Sequence, residues 1–109
     1  MNCRRKIKEE ENRIRALLKC HTDERSPVYR AWNRFLDYFR TYDLLEGTRH
    51  VDLIRYIYLK RAQKQETMFC IAWKNALSER TLYRYRQKYV KCFHEYYHQE
   101  LQSATVSVL

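Results

Sequence analysis

The chain has 109 residues, 45% of them hydrophobic and 15% aromatic, enough for one domain that buries roughly two-thirds of its unfolded surface without metal or disulfide staples. Its 22 basic residues outnumber 13 acidic ones, and the net charge of +9 points to a polyanionic partner, either nucleic acid or an acidic membrane surface. A single Gly and a single Pro exclude the many tight turns of an all-β fold.

The N-terminal element, residues 1–25, holds a charged helix over 2–21 with a thin apolar seam of Ile7, Ile14, Leu17 and Leu18. So narrow a seam suits a helix lying on the edge of its own domain, the reading preferred here, or an arm that pairs two copies into a homodimer. TDERSP at 22–27 is a loop leading into a helix, with Ser26 as N-cap and Pro27 in the first turn. Behind it Val28, Trp32, Phe35, Leu36 and Phe39 recur at intervals of three and four, the pattern of a strongly amphipathic helix that ends at Gly47 or in the loop just beyond.

VDLIRYIYL at 51–59 is apolar enough for a buried helix or a strand, and with no second strand-like segment to pair with it is expected to be helical. A polar break, QKQET at 63–67, precedes a helix starting near Thr67. The last helix begins at Ser78 and is expected to reach about Leu101, leaving QSATVSVL at 102–109 as a flexible tail. The expected fold is all-α, four to five helices, with the main helical domain at 26–101. The longest apolar run, MFCIAW at 68–73, is too short to span a bilayer, and MNCRRKIKEEEN lacks the apolar core of a signal peptide, so the expected location is cytoplasmic with no membrane partner.

Two features invite a metal reading. Cys3, Cys20, Cys70 and Cys92 form no C-x-x-C pair and fit no zinc-ribbon spacing, so Cys70 and Cys92 are expected to be small buried hydrophobes. HEYYH at 94–98 spells the zinc-protease signature H-E-x-x-H, in which two histidines one turn apart hold zinc and the glutamate serves as base. At 100° per residue, however, His94 and His98 project on the polar side with Arg80, Arg84 and Lys91. Beyond Glu100 there is no His, Asp, Glu or Cys to supply a third ligand. No metal, cofactor or catalysis is expected.

The stretch MFCIAWKNALSERTLYRYRQ at 68–87 carries the functional reading. Ala72 is small where two helices must approach, Ala76 sits in the turn, Leu77 is an apolar anchor, Ser78 is an N-cap, and Thr81-Leu82 lie one turn into the next helix. This order and spacing resemble a helix-turn-helix, here placed at 67–93. Ala76 stands where that motif usually has Gly, so a left-handed backbone there would carry a steric cost. VDLIRYIYLKR, then a short helix containing IA, then LSERTLYRYRQKYVKCF resembles the ArpU/RinA-type regulators of phage late transcription. The C-terminal half of those regulators in turn resembles the helix-turn-helix of sigma-factor region 4, and the strongest piece of the resemblance is S-E-R-T-L-Y-R-Y-R at 78–86. The resemblance implies DNA-binding control of phage or prophage genes.

On the last helix Leu82, Tyr85, Tyr89, Cys92, Phe93 and Tyr96 fall within one stripe, the expected buried face. Glu79, Arg80, Tyr83, Arg84 and Gln87 occupy the turns that would enter a major groove. Arg80 and Arg84 match guanine O6/N7, Gln87 matches adenine, and Glu79 can accept from cytosine N4. Ser78, Thr81, Lys88 and Lys91 suit the phosphates. Tyrosines and arginines also alternate in plain helices with a buried side and a solvated side, so the set weighs more than any member. The expected partner is double-stranded DNA. The competing reading is a helical adaptor that binds RNA polymerase or another phage protein; an RNA-binding module lacks its usual single-strand signatures.

Overall fold

The computed structural model describes residues 3–21, 23–60 and 67–108. They form five α-helices and no strand: α1 (Cys3–Cys20), α2 (Pro27–Glu46), α3 (His50–Arg55), α4 (Met68–Lys74) and α5 (Glu79–Val108). The fold is all-α. The stretch at 51–59 is helical, and its end widens into a π-helical turn, Tyr56–Lys60, that continues α3 directly. Of the polar break at 63–67, residues 63–66 lie outside the described residues; Thr67 then caps α4 by accepting the Cys70 N–H at 3.2 Å.

Local chemistry sets the ends of α2. The Ser26 hydroxyl accepts the Tyr29 amide at 3.3 Å and Pro27 takes the first helical position. Gly47 closes the helix with φ of 67°, its amide bonding the Asp43 carbonyl at 2.8 Å. The Asp43 side chain then reaches forward. It accepts from the Thr48 hydroxyl at 2.6 Å and from the amides of His50 and Val51 at 2.8 and 2.9 Å, so it caps α3, whose own N-cap residue Arg49 makes no side-chain cap bond.

α2 and α5 run antiparallel. Trp32 meets Phe93, Phe35 meets both Phe93 and Tyr89, and Phe39 meets Tyr89, mostly edge to face at 5.1 to 6.3 Å. Ile54, Ile57, Ile71 and Leu82 complete this core. Each fully buried large side chain here contributes roughly 1.5–3 kcal/mol of transfer free energy, against the entropy of ordering the chain.

α1 lies across α2, the π turn and α5. Ile7, Ile14 and Leu18 of its seam are buried and Leu17 half-buried, so the stripe that could have paired subunits is covered within the chain. Glu11, between them, is also fully buried. It receives two hydrogen bonds from Arg86 of α5, at 2.7 and 3.0 Å, and one from the Tyr58 hydroxyl at 3.1 Å. One turn on, Arg15 donates twice, at 3.3 Å, to the Ile57 carbonyl in the π turn.

α5 passes Leu101, the expected end, and continues to Val108. No Gly or Pro interrupts 102–108, so a nucleated helix can propagate at little cost. Among the described residues no helix is long and apolar enough to cross a membrane.

Candidate nucleic-acid interface

α4 and α5 form a tight helical hairpin with Ile71 and Ala72 buried at its inner side. The Leu77 amide bonds the Ala72 carbonyl at 2.8 Å and the Ala76 amide bonds the Trp73 carbonyl at 3.2 Å, the paired bonds of a Schellman ending. That ending needs a left-handed residue, and Ala76 supplies it with φ of 55°. A Cβ in this region costs roughly 1–2 kcal/mol. Leu77 then packs against the core, and Ser78 caps α5 by accepting the Thr81 amide at 3.0 Å.

With its start fixed, α5 turns Leu82, Tyr89 and Phe93 fully inward; Tyr85, Cys92 and Tyr96 are half-buried at the edge of that stripe. Arg80, Arg84, Gln87, Lys88 and Lys91 are all exposed on the opposite side, within a stripe roughly 100° wide at 100° per residue. None of the four cations makes a hydrogen bond or ion pair with another described residue. These five side chains form a continuous basic ridge, brought together by helical geometry alone.

The remaining predicted residues sit differently. The Ser78 hydroxyl is engaged at the cap, also donating to Thr81 Oγ1 at 2.9 Å, and Thr81 is half-buried. Glu79 is exposed at the mouth of a groove of about 380 Å³ that also takes in Lys8 and Phe69. Tyr83 leaves the ridge. It is half-buried beside Lys6 and Ile7 of α1, and its hydroxyl is buried with no hydrogen-bond partner among the described residues.

Arg86 and Val90, absent from the expected buried stripe, are both buried. At 100° per residue both lie on one side of Phe93, roughly 20° and 60° from it, so helical periodicity can place them inside, and Arg86 needed a carboxylate to be tolerated there. That carboxylate could have been found on the Ile7–Glu11–Ile14–Leu18 face, where Glu11 shares the spacing of the buried seam.

The cysteine reading needs a correction. Cys70 is exposed, because α4 covers only its Ile71–Ala72 side, and Cys92 is half-buried with its thiol pushed up to about 11 by burial and the nearby Glu95. In HEYYH, His94 is half-buried against Phe93, while His98 is exposed and within 3.2 Å of Gln102. No three metal-ligating side chains gather among the described residues.

Searches against protein-family models, curated proteins and solved structures found no match for the chain.

Proposed function

We propose that the chain binds double-stranded DNA in a sequence-specific manner through the α5 ridge and acts as a transcriptional regulator. The observation that carries this reading is the ridge itself: Arg80, Arg84, Gln87, Lys88 and Lys91 lie on one face of a helix whose start is held by a tight hairpin. Rigid presentation of unpaired cations is what groove entry requires. In this reading the hairpin is a helix-turn-helix, Arg80 and Arg84 read guanine, Gln87 reads adenine, and Glu79 accepts from cytosine at the edge of the footprint. Lys88, Lys91 and Thr81 hold phosphates, together with the α5 N-terminus capped by Ser78. Tyr83 reads no base, since it turns toward α1. Control of phage or prophage late genes follows from the resemblance of 78–86 to the ArpU/RinA-type regulators.

A second reading, an adaptor docked on RNA polymerase or another phage protein, is favoured by one observation. Phe69 and Trp73, one turn apart on α4, are 61% and 78% exposed. Selection from a pool of random duplexes separates the two. Enrichment of a common sequence is expected, and a pool still random after repeated rounds would reject DNA reading and leave the adaptor.

A further inference from the structure

On the α2 side of α5, away from the centre of the ridge, three grooves run into one another. One of about 420 Å³ lies between the α2–α3 loop and the α4–α5 turn and includes Arg49, Lys74 and Tyr85. A second, of about 490 Å³, shares Thr48, His50 and Tyr85 with the first and takes in Lys88 and Lys91. A third, of about 480 Å³, shares Tyr38, Tyr42 and Tyr96 with the second and ends at Arg34. Together they make one trough that follows α5 from Tyr85 to Gln99, roughly 20 Å of helix at about 1.5 Å per residue.

The trough combines tyrosine rings with cations. Tyr38, Tyr42, Tyr85 and Tyr96 line it, and Tyr38 and Tyr42 are exposed. Cations stand at intervals: Arg49 at one end, Lys88 and Lys91 in the middle, and at the other Arg34, which is ion-paired with Glu100 at 3.2 Å. Arg34 already lies over the Tyr96 ring, 4.6 Å from its centroid, which shows that guanidinium and tyrosine stack here. Two carboxylates, Asp37 and Glu95, line the trough, and Asp37 is bonded to Arg40.

An elongated trough suits a chain-like ligand better than a compact one. Spaced cations match a repeating anion, and exposed tyrosine rings match flat apolar groups between the charges. A duplex offers the charges but keeps its bases stacked inside; an apolar peptide helix would offer no anion to Arg49, Lys88 and Lys91. A single nucleic-acid strand offers both. We propose that this trough binds a single strand of nucleic acid, with phosphates on the cations and bases against Tyr38 and Tyr42. The site goes beyond the duplex reading and uses a different flank of α5, sharing Lys88 and Lys91 at the border. A strand held here would lie alongside a duplex held on the ridge.

The test is fluorescence anisotropy on the full chain with labelled twelve-nucleotide oligothymidylate, the matching oligouridylate, and an abasic strand of equal length. The oligothymidylate or the oligouridylate, or both, should bind, and their comparison tells whether DNA or RNA is preferred. Affinity should fall about tenfold or more in Tyr38→Ala plus Tyr42→Ala, recover in the matching Phe variants, and fall several-fold in Arg49→Ala. The tyrosine variants should leave duplex affinity within about twofold, whereas Arg84→Ala should weaken duplex and spare the single strand, so the two readings fail separately. No binding of either strand, equal binding of the abasic strand, or indifference to the tyrosine variants would overturn the proposal.

Discussion

The Glu11 carboxylate on α1, fully closed to solvent, takes two hydrogen bonds from the Arg86 guanidinium on α5, at 2.7 and 3.0 Å. The two residues are far apart in sequence, and their pairing ties the N-terminal helix to the helix that presents the ridge. Removing one partner leaves the other charged and buried. Glu11→Ala is therefore expected to cost about 3–5 kcal/mol of unfolding free energy, while replacing both residues by Met should cost far less or nothing. Chemical denaturation of the two variants checks this. Equal losses in both would mean that shape, not charge pairing, holds α1 in place.

Ala76 adopts φ of 55° in the α4–α5 turn. Glycine removes the Cβ clash of roughly 1–2 kcal/mol and gives back about 0.5–1 kcal/mol in unfolded-state entropy. Ala76→Gly should therefore raise stability by about 0.5–1 kcal/mol, and Ala76→Val should lower it. Urea midpoints measure both. A Gly variant less stable than the parent would mean that the turn is not left-handed.

Acid should weaken the fold in two stages. His50 lies among the rings of Phe39, Tyr42, Tyr85 and Tyr89, at 4.7 to 5.6 Å, with its Nδ1 hydrogen-bonded to the Tyr89 hydroxyl. Burial, against the pull of Asp43 and with help from Lys88, holds its pKa below the ordinary 6.5. Below that pH the unfolded chain takes a proton that folded His50 refuses, so stability present above pH 6.5 is lost progressively as the pH falls toward the lower folded value. For Asp43, burial alone would raise the carboxyl, but the Thr48 hydroxyl, the Val51 and His50 amides and the His50 charge together hold it below 3.8. Its contribution is complete above 3.8 and disappears at still lower pH. Urea midpoints should fall between about pH 7 and pH 5, less steeply in His50→Gln. A flat or rising profile for the parent chain would contradict a buried neutral imidazole.

How far the fold could be read depended on whether the signal was local. Ser26, Pro27, the apolar spacing from Val28 to Phe39, and Gly47 all act within a few residues of themselves, and α2 has the expected start and stop. The inward stripe of α5 was readable for the same reason, at Leu82, Tyr89 and Phe93. Glu11 and Arg86 were missed because a charged residue reads as solvated until its distant partner is known. The π turn at Tyr56–Lys60 is held by an Arg15 contact from another helix, which no periodicity announces. Tyr83 belongs by position to the turns that would enter a major groove, yet its wheel angle lies toward α1. Residue type predicts Cys70 inside, but a two-turn helix with one covered side has room there only for Ile71 and Ala72. Of the candidate site, Arg80, Arg84, Gln87, Lys88 and Lys91 share the exposed face as expected, while Ser78 and Thr81 are partly occupied by the cap.

The central claim, that the α5 ridge reads duplex DNA, is tested most directly by titrating the parent chain, Arg84→Ala and Lys88→Ala on a selected duplex and a scrambled one across a range of salt. Arg84→Ala should lose about 1–3 kcal/mol on the selected duplex, much less on the scrambled one, and should relax preference at one base pair. Lys88→Ala should weaken both duplexes alike and reduce the log–log salt slope by about one unit. Unchanged duplex binding in both variants would contradict the account.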